Sequence, residues 1–272
     1  MTTSESAVQV APRPPRPLFR LERAELLKLR KSRGVWIPTA ILTLGLIIIM
    51  YTAVEIFHLS NSTKYGPAGG TLNFERALFL MGQIAGMIAA ALVGAAAGTQ
   101  DLSSNVFRDL VSTGRSRTRL YLARIPGGLA MLLPFVAVAY ALAAILSVVL
   151  AGGLATPSVT LFVKAGLYVL FSASIVYVIA LGLGSLVGSR AATISILIAY
   201  LLPIQAIIRN VTVLGRARDG LLSVAVERIS PLPPPDPHDM IKMSLATSLI
   251  VLAGWGAIFG GLGLWRTKTR DA

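Results

Sequence analysis

The sequence has 272 residues, of which 54% are hydrophobic and only 14% are charged, and its mean hydropathy is +0.72. Because soluble domains carry about 25% charged residues, this composition excludes an ordinary soluble domain and indicates an integral membrane protein. The absence of cysteine excludes disulfides and thiolate metal sites, and the net charge of +13 fits the cytoplasmic excess of Lys and Arg in membrane proteins.

Six apolar runs are long enough for helices that cross a bilayer, which takes about 20 residues. The first follows a long polar segment and lacks a small-residue cleavage site, so we expect a retained span rather than a signal peptide. The fifth is short and contains Pro203, which predicts a kink or an incomplete crossing. The expected fold is all-α, a bundle of six transmembrane helices over 35–57, 77–97, 125–151, 161–187, 191–208 and 243–265.

The distribution of Lys and Arg predicts the direction of the spans. These residues concentrate in 1–34, in 98–124, at Arg190 and in 266–272, and they are sparser in the segments between. By the positive-inside rule, both termini face the cytoplasm in a multi-pass protein of the cell membrane. The expected organisation is a disordered cytoplasmic tail, a transmembrane domain and a second cytoplasmic tail, over 1–17, 18–265 and 266–272.

Ionisable groups are nearly absent from the six apolar runs. Glu55 and Lys164 lie near span ends, where their charged groups can reach the interface. No acid or base is placed for a proton relay, which weakens a proton-coupled carrier but not a sodium-driven one. Among the polar residues within spans, Gln83 and Gln205 are the costliest to bury without a partner.

Four G-x-x-x-G pairs lie in or at the ends of the spans. Such pairs let two helices approach closely. They are compatible with packing inside one bundle and with a dimer contact between two chains. The pairs are Gly82/Gly86, Gly94/Gly98, Gly184/Gly188 and Gly256/Gly260.

Two segments between spans have patterns of their own. In 102–113, Asp101, Ser103 or Ser104 can cap the start of a short helix with one apolar face, and Gly114 can end it. A basic run follows. The segment fits a solvated loop whose arginines fix topology, and it also fits a helix that docks on a soluble partner. Between spans five and six, GRARDGLLSVAVERI predicts a second short helix, or a plain connecting loop.

Two stretches, GTQDLSSNVFRDLVSTGRSRTRLYLARI at 98–125 and AELLKLRKSRGVW at 24–36, resemble type-2 ATP-binding-cassette exporter permeases. In that family the segment after span two runs Gly-x-Glu, Gly-Thr, a leucine-rich turn, Ser-Arg and a basic start of span three. The family's glutamate position is Gln100 or Asp101 here, and Ser104-Asn105 stands for Gly-Thr. The second stretch is similar to the family's Glu-Leu-x-Lys-Leu-Arg start of span one.

The resemblance implies that 101–113 is a cytoplasmic coupling helix that contacts a separate ATPase subunit. The coupling residues implied are Asp101, Val106, Phe107, Arg108, Leu110, Val111, Arg115, Arg117 and Arg119. It also implies an interfacial helix over 18–33, although Glu22 and Glu25 interrupt its apolar side. The residues expected at the membrane surface, next to anionic lipids, are Arg23, Lys28, Arg30, Lys31 and Arg33.

A permease of this family would pair with a second identical or homologous permease subunit, and ATP and Mg²⁺ would bind to the ATPase partner. Because the sequence lacks a G-x-x-x-x-G-K-[ST] motif, this chain supplies no P-loop itself. No Ser-His-Asp set or H-E-x-x-H motif is visible, so we expect no enzyme activity, cofactor or metal site, and no nucleic-acid partner. Lipid, drug, peptide and polysaccharide precursor are all compatible substrates.

The favoured interpretation is the permease subunit of an ATP-driven exporter, which forms the translocation path. One alternative is an ATP-independent channel or secondary carrier. The other is a membrane scaffold subunit that binds a partner through the same basic segment but transports nothing.

Overall fold

A computed structural model of the chain describes residues 19–103, 114, 116–232, 241 and 243–269, with the side chains of Phe19, Arg20 and 101–103 left undescribed. Within these residues the regular structure is entirely helical, which confirms the all-α class. The predicted tail 1–17 lies outside the described residues.

Six of the described helices are long and apolar enough to cross a membrane, one for each predicted run. They are α2 (Arg33–Ser60), α3 (Gly70–Gln100), α4 (Arg117–Val149), α5 (Val159–Val187), α6 (Arg190–Asn210) and α8 (Leu245–Thr269). Helix α1 (Phe19–Lys31) precedes them, and α7 (Leu222–Ile229) lies between α6 and α8.

Three helices extend by a turn or more beyond one end of the apolar runs that predicted them. Helix α3 begins at Gly70, α4 begins at Arg117, and α8 continues to Thr269. The predicted cytoplasmic tail 266–272 is therefore helical through Thr269, and its last three residues lie outside the described part of the chain. Helical hydrogen bonding continues past an apolar run wherever no proline or cap stops it.

The spans alternate in direction, so their ends gather on two faces of the bundle. On one face, which we call the α1 face, Arg117 at the start of α4 donates a hydrogen bond to the carbonyl of Lys268 near the end of α8, at 2.9 Å. On the same face Arg190 donates to the carbonyl of Gly34, at 2.6 Å. The α7 face lies opposite. There the backbone N–H of Gly69, just before α3, donates a hydrogen bond to the carbonyl of Leu150, just after α4.

Helices α3 and α5 form the centre of the bundle. In the most apolar stretch of each helix, 67% of the residues of α3 and 61% of those of α5 are buried. The corresponding shares are 17% for α2 and 11% for α8. Glycines allow the close approach, because a Cβ added at Gly94 would lie 2.5 Å from the carbonyl oxygen of Tyr177. One added at Gly98 would lie 2.6 Å from that of Leu181. This G-x-x-x-G pair therefore packs inside one chain.

The glycine pair in α8 has different surroundings. A Cβ at Gly256 would meet no described atom within 4 Å, and one at Gly260 would sit 3.5 Å from Val178. Helix α8 instead docks on α5 through Gly263, where an added Cβ would lie 2.7 Å from the Cα of Gly182. Gly260 lies beside this contact, because a Cβ added at Gly182 would be 3.0 Å from its backbone nitrogen, whereas Gly256 lies outside the contact.

Three spans contain a π-helical turn, at Ile41–Gly45 in α2, Leu80–Ala85 in α3 and Tyr200–Ile204 in α6. The turn in α6 contains Pro203, which has no backbone N–H to donate. A π turn shifts the hydrogen-bond register and lets the helix continue past the proline to Asn210. The fifth span is therefore a single helix of 21 residues with a local distortion.

Candidate functional site

Most of the predicted coupling segment lies outside the described residues. This applies to Val106, Phe107, Arg108, Leu110, Val111, Arg115 and the side chain of Asp101. Gly114, the predicted end of the segment, has a φ of +76°, which lies in the left-handed region that favours glycine. Arg117 opens α4 and is bonded to the end of α8, while Arg119 is exposed on the α1 face.

The residues predicted for the membrane surface lie on α1 and at the start of α2. The side chains of Arg23, Arg30, Lys31 and Arg33 are exposed. Lys28 is partly buried, with its Nζ 2.5 Å from Oε2 of Glu25. Four of the five residues are therefore exposed, as a position at the membrane surface requires. Lys28 instead forms an ion pair with Glu25, one turn away.

Glu25 faces the protein, so this part of α1 is a contact with the bundle. A Cβ added at Gly127 of α4 would lie 2.6 Å from the Cβ of Glu25. Leu29, one turn further along α1, is fully buried. The acidic residue that interrupts the apolar side of α1 in the sequence thus lies at the α1–α4 interface, where glycine leaves room for it.

Arg124 is a buried residue that the sequence placed in a cytoplasmic segment. It lies two turns inside α4 and only 1% of it is exposed. The hydroxyl of Tyr177 on α5 donates to the backbone carbonyl of Arg124 at 2.6 Å. Burial of an arginine is costly without compensating groups. In the sequence, Glu25 of α1 was the one residue that could have indicated a negative partner for a buried Arg124.

A cavity of about 480 Å³ opens at the α7 face, between α3, α6 and α7. Its volume falls within the range of about 300–1,000 Å³ found for small-molecule sites. Gln83 and Gln205, the two glutamines singled out in the sequence, both line it. The full lining is Phe79, Gln83, Ile84, Leu201, Leu202, Gln205, Ala206, Arg209, Ser223, Glu227, Arg228, Ser230 and Leu232.

Hydrogen bonds hold the two glutamines in the cavity wall. Gln83 Nε2 donates to the hydroxyl of Tyr168 on α5, at 2.9 Å. Gln205, which is 2% exposed, accepts from the backbone N–H of Ser223 at 2.6 Å. That N–H belongs to the first turn of α7, where helical N–H groups lack partners within the helix. Gln205 therefore fixes the start of α7 against α6.

An ion pair closes one side of the cavity. Both terminal nitrogens of Arg209 donate to the two carboxylate oxygens of Glu227, one of them at 3.1 Å, and this bidentate geometry joins α6 to α7. Arg218 donates to the carbonyl of Arg209 at 3.1 Å, and Arg228 Nε donates to the carbonyl of Met243 at 2.7 Å. The cluster carries more positive than negative charge.

Two of the π-helical turns border the cavity. Gln83 and Ile84 belong to Leu80–Ala85, and Leu201 and Leu202 belong to Tyr200–Ile204. π turns occur frequently at functional sites, because they redirect side chains that a regular helix would align differently. The cavity therefore combines an apolar wall, hydrogen-bonding amides and an arginine-rich side.

Comparison of the sequence with models of known protein families, and with curated proteins, gave no match. Function is therefore inferred from the residues and from the arrangement of the described helices. Two features bear on function: the basic sequence between α3 and α4, and the cavity at the α7 face.

Proposed function

We propose that the chain is the membrane-spanning permease subunit of an ATP-driven exporter of the type-2 ATP-binding-cassette class. It works as a pair of permease subunits with two ATPase subunits, which bind ATP and Mg²⁺. The observation that carries the proposal is the basic segment between α3 and α4, where Phe107 and Leu110 lie in a stretch that resembles the family's coupling helix. An apolar group flanked by arginines suits contact with a soluble partner at the membrane surface.

The position of this segment in the fold supports the proposal. It connects the end of α3 to the start of α4, and Arg117 at that start is bonded to α8. Since α3 is the most buried span, a push on its end acts on the packed centre of the bundle. Packed interfaces tend to shift between discrete arrangements rather than deform continuously, as alternating access requires.

The cavity at the α7 face supports a transport role in the same way. Gln83 on its wall belongs to α3, and the opposite end of this helix leads in the sequence into the basic segment. A displacement of α3 would therefore move the cavity wall and the start of the basic segment together. The ATPase-driven movement would change the cavity by moving α3 against α6 and α7.

Co-purification from the native membrane tests the proposal. We expect the tagged wild-type chain to bring down a stoichiometric soluble protein with a P-loop. Phe107→Asp and Leu110→Asp should lose it, because each places a charge in the apolar contact. Ser112→Asp adds the same charge at a polar position of the same segment, and it should retain the partner.

The results separate the proposal from its rivals. Absence of an ATPase under gentle extraction, with transport in liposomes that contain only this chain, would establish a carrier or channel instead. A partner without ATPase activity would favour the scaffold alternative. Normal ATP-dependent export by Phe107→Asp would contradict the coupling role of the segment.

A further inference from the structure

The cavity at the α7 face has a polarity gradient along α6. Leu201 and Leu202 line it deeper in the span, Gln205 and Ala206 follow one turn later, and Arg209 lies at the helix end. From Leu201 to Arg209 the helix rises about 12 Å. A ligand bound along this path would place an apolar part towards the middle of the span and a polar part at the α7 face. A lipid of the adjacent leaflet has the same orientation.

The apolar side of the cavity is open rather than enclosed. Phe79 is 46% exposed and Leu202 is 39% exposed, although both line the cavity. They lie on spanning helices, so the surrounding medium at that depth is the bilayer. A molecule with an apolar chain can therefore reach the cavity from the membrane without crossing water.

The polar side offers hydrogen-bond donors. The Oγ of Ser223 is buried in the cavity wall and has no hydrogen-bond partner among the described residues. A buried hydroxyl left without a partner is unfavourable, and a ligand acceptor would satisfy it. The side-chain amides of Gln83 and Gln205 can each make further bonds beyond the one described.

The charge of this region favours an anion. Arg209 and Arg228 line the cavity with Glu227 as the one carboxylate among the lining residues, and Arg218 lies against the backbone of Arg209. Guanidinium groups bind phosphate and carboxylate in a bidentate way. The same excess of positive charge disfavours a cationic headgroup.

We propose that the cavity between α3, α6 and α7 binds an anionic amphiphile, with its acidic headgroup at Arg209 and Ser223 and its chain along Leu201, Leu202 and Phe79. The inference rests on the proposed function only in treating this ligand as the exported substrate. Binding itself needs neither ATP nor a second subunit.

Protection of a single thiol tests the binding directly. Since the chain has no cysteine, Ala206→Cys creates one reactive group, on the cavity wall. The full chain is placed in nanodiscs of zwitterionic lipid, and the rate of maleimide labelling is measured against added lysophosphatidic acid. We expect at least tenfold slower labelling at saturation. Ser62→Cys, in the exposed loop between α2 and α3, is the control and should label at an unchanged rate.

Three comparison probes define the ligand class. A phosphocholine lysolipid of equal chain length, and a long-chain amine, should protect at least tenfold less well than lysophosphatidic acid. Inorganic phosphate should give no protection. Shortening the chain by two methylenes should raise the half-protecting concentration about fifteenfold, since each buried methylene contributes roughly a fourfold gain in affinity.

Two charge variants should move the affinity in opposite directions. Arg209→Gln should raise the half-protecting concentration of lysophosphatidic acid about tenfold or more, because it removes a cationic donor. Glu227→Gln should lower it, because it removes the neighbouring negative charge while keeping the arginine. A variant that merely disturbed α7 would weaken binding in both cases, so two changes of the same sign would overturn the assignment.

Other outcomes also overturn it. Equal protection by all three amphiphiles would show that the cavity holds membrane lipid without selection, and protection by inorganic phosphate would show a small-anion site. No protection by lysophosphatidic acid removes the proposal but leaves the exporter proposal standing. Conversely, protection without any co-purifying ATPase leaves a bound amphiphile that is not the substrate of an ATP-driven exporter.

Discussion

Replacement of Gly94 by alanine should destabilise the bundle, because this glycine sets the separation of α3 and α5. The added Cβ would lie 2.5 Å from the carbonyl oxygen of Tyr177 and 2.6 Å from the Cβ of Ala180. Both distances fall well short of the 3.0 Å that Cβ contacts essentially always exceed. One of these neighbours is backbone, so the two helices must move apart by about half an ångström or more.

The expected cost follows from two opposing effects. Overpacking in a well-packed core costs about 1–3 kcal/mol. Alanine in place of glycine within a helix stabilises the helix by up to about 1 kcal/mol. The net loss should be about 1–2 kcal/mol, and Gly94→Leu should exceed it, since a larger side chain cannot be accommodated by the same shift.

The matched control is Gly256→Ala, which makes the same change in the G-x-x-x-G pair of α8. A Cβ there meets nothing within 4 Å, so only the helix-propensity gain applies and stability should be unchanged or slightly higher. The assay is thermal unfolding of the purified chain in nanodiscs, followed by tryptophan fluorescence. At roughly 2–4 °C per kcal/mol, Gly94→Ala should lower the Tm by about 2–8 °C.

The reverse result would refute this reasoning. If Gly256→Ala lowered the Tm and Gly94→Ala did not, the glycine pair in α8 would be a contact with another chain. The α3–α5 approach would then tolerate an extra methyl group. Size-exclusion chromatography of both variants distinguishes a loss of pairing from a loss of stability within the chain.

Three further predictions concern the junctions between helices. Gly127→Val should displace α1 from α4, because even a Cβ there would lie 2.6 Å from a side-chain carbon of α1, and limited proteolysis should cut α1 faster than in the wild type. Tyr177→Phe should cost about 1–2 kcal/mol by removing the 2.6 Å bond to the carbonyl of Arg124, measured as a lower Tm with an unchanged helical content by circular dichroism. A double-mutant cycle of Arg209→Gln and Glu227→Gln should give a coupling energy of about 1 kcal/mol. This energy should decrease with added salt, because the two side chains are 29% and 20% exposed. A coupling energy that does not change with salt would contradict an ion pair open to solvent.

The six spans were predictable because each presents a run of about 20 apolar residues, and a bilayer admits few structures other than a helix for such a run. Their ends were less predictable. Helix α4 begins at Arg117, so two turns that contain three arginines are helical before the predicted apolar run starts. Apolar content marks the depth of the membrane, whereas capping and local hydrogen bonding decide where a helix begins.

The two glutamines of the cavity show what sequence can and cannot reveal about a site. A glutamine inside a span is costly unless it is bonded, so both Gln83 and Gln205 stand out from sequence alone. Their partners, Tyr168 and the backbone of Ser223, depend on how α3, α5, α6 and α7 pack. Contacts between residues 85 and 18 positions apart leave no local pattern.

The burial of Arg124 was not predictable for a related reason. A basic residue close to a membrane interface is usually solvated, and charge counting assigns it to the adjacent loop. Here α1 covers this end of α4, with Glu25 on the covering side and Gly127 giving it room. Whether a residue near a span end meets water or protein depends on the neighbouring helix, and α1 precedes α4 in the sequence by almost a hundred residues.

Helix α3 is the element through which the two proposals meet. It contributes Gln83 to the cavity at the α7 face, packs through Gly94 and Gly98 against α5, and leads at the α1 face into the segment proposed to contact an ATPase. A shift of α3 along α5 must break and remake these close glycine contacts, so it favours two discrete positions over a continuous range. Each position would present Gln83 differently to Tyr168 and to a ligand. If Gly94→Leu holds the helices apart, it should therefore reduce ATP-driven export even in molecules that retain the ATPase, whereas Gly256→Ala should leave the rate of export per complex unchanged.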